Sequence, residues 1–320
     1  MEKVRVAVVG VGYLGQFHAE KYAKIEEAEL VGVVDIDVSR AKEIAKRYRT
    51  QPFFHHADIF NKVQAVSVAV PTHLHHSITK DLFVQGIDVL LEKPIASTLQ
   101  ETDELIELAE SKGLVLQVGH VERFNGALMA SEKMVQNPAF IESHRLGPFS
   151  GRGTDVSIVL DLMIHDIDIL LNLLNSEVKQ IHAIGLPILT PCLDVANAWI
   201  EFENGCVANL TASRVSKEKT RRTRIFQPNG MLTIDYLAQK AFFTKKAPSE
   251  RKEIPEMVTE EIPVVKVDPL ETEIRSFLKS VRERSDVRVS GRDGKRALQV
   301  AFQIIEKIAK SSEKREWGER

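Results

Sequence analysis

The run "VRVAVVGVGYLGQFHAEKY" constrains this chain more than any other stretch. A short β-branched apolar segment passes directly into Gly10, Gly12 and Gly15, spaced G-x-G-x-x-G, and the last glycine opens a helix-forming segment. In that context Gly10 permits a tight turn, Gly12 lets a pyrophosphate approach the backbone, and Gly15 lets helix and strand pack closely. A helix N-terminus adds N–H donors and the positive end of a dipole. The loop, with Tyr13 and Leu14 inside it, is therefore expected to cradle a dinucleotide. Asp35 ends the next strand-like run, "ELVGVVD", 20 residues after Gly15. A carboxylate at that point accepts hydrogen bonds from adenosine ribose hydroxyls and repels a 2′-phosphate, so NAD is expected rather than NADP. Arg40, the first cation to follow, reads as a solvated helix residue.

The rhythm of apolar strand and helix continues through "AVSVAV", "HHSITKDLFVQ", "DVLLEKP" and "LVLQVGH". Between the last two, Thr98 and Glu101 form a capping box and Gly113 a stop for "STLQETDELIELAESK". Continuous apolar strands linked by helices imply an α/β doubly wound parallel sheet, covered on both faces. After about residue 120 the pattern changes. A helix over Ile158–Leu174 is followed by "IHAIGLPIL", "VANAWIEFENGCVANLTASRV", "TRIFQPNGMLTIDYL" and "KAFFTKK", strand-like runs joined by "ENG" and "PNG" turns, before a helical tail. Length suits two domains. They are expected at 1–121, for the dinucleotide, and 122–320, an α+β domain with a mainly antiparallel sheet. Residues 247–267 read as the most loop-like segment.

Composition closes off several classes. With 43 basic and 45 acidic residues, no global field recruits nucleic acid or an anionic membrane. Cys192 and Cys206 are too few for a disulfide framework or a tetrahedral zinc site. His55, His56, His73 and His76 lack a third ligand at metal spacing, so no metal is expected. No leader-like segment opens the chain and no apolar run reaches the ~18 residues of a membrane span, which reads as a soluble cytoplasmic protein.

The helix over Ile158–Leu174 raises a question of its own, because it is apolar yet carries Asp161, His165, Asp166 and Asp168. On an ideal α-helix Asp161, His165 and Asp168 share one stripe while Asp166 points elsewhere. Imidazole titrates near neutral pH and suits a general base, and a carboxylate one turn away can orient it. Asp168, a further turn on, reads as structural. Elsewhere, Glu92, Lys93 and Pro94 close one strand and Pro71, Thr72 and His75 follow another, at the carboxyl ends where open α/β sheets bind ligands. Arg123, Arg145 and Arg152 are candidate bidentate clamps for a diphosphate. The run "SKEKTRRTR" reads as a solvated strand edge.

Taken in order, G-V-G-Y-L-G, Asp35, P-T-H-L-H, E-K-P, "GHVERFN" (119–125) and "DLMIHDID" resemble the Gfo/Idh/MocA family of NAD(P)-dependent oxidoreductases, over essentially the whole chain. The resemblance implies a Rossmann domain followed by a large open sheet whose exposed face mediates homodimers or homotetramers. It also implies that Lys93 and His165 reach the reacting sugar hydroxyl, with Asp161 beside them. His165 would take the hydroxyl proton while Lys93 stabilises the alkoxide. Met163 departs from the pattern, since many members carry glycine there. "GHVERFN" and "HRLGPFSGRGTDVS" are similar to the branch acting on nucleotide-linked amino sugars, which implies UDP-N-acetylglucosamine oxidised at its 3-hydroxyl. A free sugar or inositol as substrate, or a non-catalytic NAD-binding regulator, is the alternative.

Overall fold

The computed structural model describes residues 2–151, 153, 155–247 and 256–313. The chain divides into two compact units, one of Met1–Val121 with Asp268–Lys295 and one of Glu122–Val267 with the chain from Arg296.

In the first unit, β1 (Val4–Val9), α1 (Gly15–Lys24), β2 (Ala28–Val34), α2 (Val38–Tyr48), β3 (Gln51–Phe53), β4 (Ala65–Val68), α3 (His75–Val84), β5 (Asp88–Glu92), α4 (Leu99–Lys112) and β6 (Leu116–Gly119) alternate. All six strands are parallel in the order β3-β2-β1-β4-β5-β6. The order reverses between β1 and β4, and that switch point opens a crevice at the strands' carboxyl ends. β4 and β5 are buried along their whole length, as continuous apolar strands in a covered sheet must be. Local signals set the helix ends. Asp37 caps α2, Thr98 and Glu101 make the capping box of α4, and Gly113 ends that helix in the left-handed region at φ +61°.

The second unit contains α5 (Gly126–Ser131), β7 (Phe140–Leu146), α6 (Ile164–Leu174), β8 (Val178–Leu186), β9 (Val195–Phe202), β10 (Val207–Ser213), β11 (Thr220–Gln227), β12 (Gly230–Asp235), β13 (Lys240–Lys246) and β14 (Met257–Ile262). Its eight-stranded sheet runs β14-β13-β12-β11-β7-β10-β9-β8, antiparallel except for the parallel pair β7 and β10. The inward residues of these strands form one apolar core with α6 and the latter part of α8 (Gly291–Glu313), including Ile167, Leu170, Ala301 and Ile304.

Three features differ from the sequence reading. Asp268–Lys295 clusters with the first unit rather than the second, because α7 (Pro269–Glu283) buries Ile274, Phe277 and Leu278 in the first core. Its cap, Asp268, also pairs with Lys21 at 2.5 Å. Central β7 gave little apolar signal, since Glu142 and His144 alternate with its buried Ile141, Ser143 and Arg145. Within the loop-like segment, Met257–Ile262 pairs with β13 as an edge strand, although its residues are nearly all exposed.

Candidate functional site

The glycine loop is shaped by its own backbone. Gly10 has φ +83°, and a Cβ there would lie 2.7 Å from the Ala69 carbonyl oxygen. At Gly15 a Cβ would fall 1.8 Å from the Gly10 oxygen. Both glycines are therefore required by the turn itself. Gly12 is different: the nearest atom to an added Cβ is Arg40 Nη1, at 3.8 Å. Protein atoms do not crowd that position, so its glycine suits the close approach of a ligand. α1 begins there with no side-chain cap and no acidic residue in its first turn, which suits an anion. Tyr13 and Leu14 are exposed on the same loop. Asp35 accepts the Val11 N–H at 3.0 Å and the Asp37 N–H at 2.9 Å. The Asp35 carboxylate thus holds the loop in shape. These residues fit a bound NAD.

Pro71, Thr72 and Lys93 follow β4 and β5 at the same end of the sheet. Lys93 is half-buried and precedes a cis peptide bond to Pro94. Two residues expected on the cofactor face inward instead. His75 is buried, with Nδ1 and Nε2 each 2.9 Å from a carbonyl oxygen, those of Pro94 and Val70. Burial pushes its pKa down, against the pull of those carbonyls and of Glu92. Glu92 is buried too; one carboxylate oxygen lies 3.0 Å from His18 Nε2 and the other accepts the Lys93 N–H at 3.2 Å. Burial opposes the ionised form, but the hydrogen bond and charge of His18, with Lys93, hold the carboxyl below the usual range. These two residues shape the strand ends rather than facing a ligand.

In the second unit, the helix carrying the acidic stripe does not start as an α-helix. Val159–Met163 forms a π-helical turn that runs into α6. Asp161 sits in that turn, so its i, i+4 relation to His165 is not that of the ideal helix, and π turns recur at functional sites. Both side chains are half-buried. The Asp161 carboxylate lies against Gly153, where an added Cβ would be 3.2 Å from Oδ2 and φ is +61°. The segment before it is held by Arg214, whose guanidinium donates to the Gly153 carbonyl and, at 2.6 Å, to that of Val156. Arg214 in turn stands 3.8 Å from Asp194. Burial would raise the Asp194 pKa, but the N–H groups of Thr190, Leu189 and Ile188 bring it to about 2.

The arginines call for correction. Arg145 is 1% exposed and donates from Nε and Nη2 to Asp166, at 2.9 and 2.8 Å, and from Nη1 to Glu122 at 2.8 Å. Arg221 adds a second cation to Glu122 at 3.0 Å. A guanidinium so enclosed is a structural partner of two carboxylates, not a clamp for a diphosphate. Arg123 is likewise buried, 3.8 Å from Asp168, which gives that aspartate a structural partner. Arg152 lies outside the described residues. Two of the histidines weighed for metal meet carboxylates: His56 lies 2.9 Å from Asp81 and His76 3.0 Å from Glu104. His18, Glu122, Asp194 and Arg214 were not singled out from sequence. Of these, His18 stands three residues after Gly15 and Glu122 lies within "GHVERFN", beside Arg123.

Comparison with known proteins agrees with this architecture. Residues 4–120 match a family model described as "Oxidoreductase family, NAD-binding Rossmann fold", and residues 140–233 match "GFO/IDH/MocA C-terminal domain". The chain is 36% identical over 305 residues to UDP-N-acetylglucosamine 3-dehydrogenase from Acidithiobacillus ferrooxidans, covering 95% of this chain and 97% of that protein. A solved structure of that enzyme superposes with a TM-score of 0.91 at 35% identity, covering 96% of this chain and 98% of the other. Myo-inositol 2-dehydrogenase from Thermotoga maritima is 23% identical, over 93% of this chain and 94% of its own length. Scyllo-inositol dehydrogenase from Lactobacillus casei, solved with NAD(H) and scyllo-inositol, shares the fold at a TM-score of 0.81 and 22% identity, over 97% of this chain and 98% of that one.

Proposed function

This chain belongs to the Gfo/Idh/MocA family of oxidoreductases and carries its NAD-binding Rossmann domain, and from that premise we propose that it oxidises the 3-hydroxyl of UDP-N-acetylglucosamine to a ketone. The observation that carries this reading is the 36% identity to an enzyme of that activity across nearly the full length of both chains. The inositol dehydrogenase from Thermotoga maritima, at 23% over a similar span, is more distant.

NAD, when bound in the Gly10–Gly15 cradle, supplies the acceptor for the hydride. His165 takes the hydroxyl proton, which an imidazole can do near neutral pH. Asp161 orients that ring and stabilises its protonated form. Lys93 hydrogen-bonds the developing alkoxide and lowers its energy where water would be a weaker partner. One carbon–hydrogen and one oxygen–hydrogen bond break, a carbonyl forms, and NADH and a proton leave. The enclosed positions of Arg145 and Arg123 mean that the diphosphate is held by other groups. They also give the polyol reading its one point of support, since an inositol needs no anion clamp.

Ketone formation is uphill against NAD at neutral pH, so the test uses a hydrazine trap or a glutamate-dependent aminotransferase to draw the reaction forward. UDP-sugars, free sugars and inositols are screened for NADH formation, with product mass measured. UDP-N-acetylglucosamine is expected to lose two hydrogens. Turnover confined to unphosphorylated polyols would overturn the substrate while leaving a dehydrogenase.

A further inference from the structure

Beneath the glycine loop the first unit buries a polar chain for which the catalytic roles above have no use. His18 and Tyr22 extend from α1, Ser67 from β4 and Glu92 from the end of β5. His18 is 1% exposed. Its Nε2 lies 3.0 Å from one Glu92 oxygen and its Nδ1 3.1 Å from the Ser67 hydroxyl, which is 2.9 Å from the Tyr22 hydroxyl. The other Glu92 oxygen accepts the backbone N–H of Lys93 at 3.2 Å. On the far side of Glu92 there is no slack: a Cβ at Gly119 would come within 3.1 Å of its Cα, Cδ and Oε2. Beyond Lys93, the Pro94 carbonyl oxygen stands 2.9 Å from His75.

The surroundings are apolar, with Val6, Val8, Ala19 and Leu90 packed in the same core. A carboxylate and its hydrogen-bonding partners in such a place contribute little to stability compared with apolar side chains of the same size, because the buried polar groups lose their water. Stability therefore does not account for the chain, whereas position does. His18 sits in the first turn of α1, three residues beyond Gly15, and that turn follows directly on the cradle. Its ring is fixed to the carboxylate whose second oxygen fixes the backbone of Lys93.

We propose that His18 is a positioning residue: through the Glu92 carboxylate it sets the backbone at Lys93 and ties that lysine to the first turn of α1, where the dinucleotide phosphates are held. His75 secures Pro94 on the other side. The proposal rests on the reading of Lys93 given above. The ionisable groups around Glu92 are His18 from α1, His75 from α3 and the neighbouring Lys93. Without His18, burial favours the protonated carboxyl, and a protonated Glu92 is a poorer acceptor for the Lys93 N–H. The acid limb of activity should then move to higher pH.

The test measures kcat, KM, the pH profile and NAD affinity for full-length His18→Leu, His18→Gln, Glu92→Gln and Lys93→Ala. The assay uses UDP-N-acetylglucosamine with the hydrazine trap, or myo-inositol if the screen finds only polyols. His18→Leu is expected to lower kcat on the order of tenfold or more, as small displacements of reacting groups do. Its acid limb should shift upward while NAD affinity stays within about threefold. His18→Gln, which keeps a donor, should recover part of the loss, and His18→Leu with Glu92→Gln should be no worse than either alone. Glu92→Gln preserves shape and serves if His18→Leu does not fold. Normal turnover in Lys93→Ala would remove the Lys93 reading and this proposal with it. An inactive Lys93→Ala beside a normal kcat and unmoved pH profile in both His18→Leu and Glu92→Gln would overturn the positioning role alone.

Discussion

Gly12 and Arg145 come from equally suggestive sequence, yet the first keeps a face open to a ligand and the second is enclosed by protein. An added Cβ at Gly12 meets no atom nearer than 3.8 Å. Arg145 is 1% exposed, with three of its nitrogens on Glu122 and Asp166. The roles of the cradle glycines are written in backbone conformation, which the spacing of a few adjacent residues decides. What an arginine does depends on which carboxylates the fold brings to it, and here those stand 21 and 23 positions away. Local geometry can be read from a sequence; the neutralisation of a buried charge is a property of the packed molecule.

The sharpest way to break this contrast is Arg145→Ala. It leaves Glu122 and Asp166 buried with their principal cation gone, and removing one partner of such a network costs about 3–5 kcal/mol. Denaturant unfolding should show that loss, and folded protein should retain its affinity for the substrate. Unchanged stability with a large rise in KM would return Arg145 to the diphosphate. His165→Ala should act in the opposite manner, lowering turnover on the order of 10² while stability and NAD affinity change little. Stopped-flow measurement of NADH formation checks it, and near-normal turnover would remove the base.

The same contrast explains what was legible. The doubly wound parallel class and the loop at Gly10–Gly15 follow from period and glycine spacing, both local, whereas the order of the strands belongs to the folded sheet. The cap of α2 was less plain: Asp37 takes the role, accepting the Arg40 N–H at 3.1 Å. The π turn at Val159–Met163 was hidden, because its residues are ordinary helix formers and the widened turn is set by what packs around it. The inward facing of His75 and Glu92 was hidden too, since a strand end shows which residues reach the crevice but not which way each side chain turns.

A smaller effect sharpens the comparison within the loop itself. Gly15→Ala places a Cβ 1.8 Å from the Gly10 oxygen and should disrupt the turn, lowering stability and NAD binding together. Gly12→Ala meets no such obstacle. Its unfolding free energy without cofactor should change by under about 1 kcal/mol, roughly the effect of glycine's own conformational freedom. Its NAD affinity should nevertheless fall on the order of tenfold, because the methyl group occupies the approach of the pyrophosphate. Thermal unfolding with and without NAD separates the two; equal losses in both variants would mean that Gly12 is structural.

The smallest effect belongs to Asp35, because two consequences of one substitution oppose each other. Its carboxylate repels a 2′-phosphate, so Asp35→Ala should help NADP. It also accepts the N–H groups of Val11 and Asp37, so the same change loosens the loop that both cofactors use. Each lost hydrogen bond is worth about 0.5–1.5 kcal/mol. NAD loses the loop contacts and its ribose acceptor, while NADP loses the loop contacts but is relieved of repulsion. The wild type should bind NAD more tightly; Asp35→Ala should weaken NAD and change NADP little, narrowing the ratio from one side only. Asp35→Asn keeps one acceptor oxygen without the charge, so it should narrow the ratio while preserving more of the NAD affinity. Fluorescence titration of both cofactors against the three proteins decides it. An unaltered ratio in both variants would leave Asp35 as a brace for the loop and move the choice of cofactor to Arg40, whose guanidinium already stands beside Gly12.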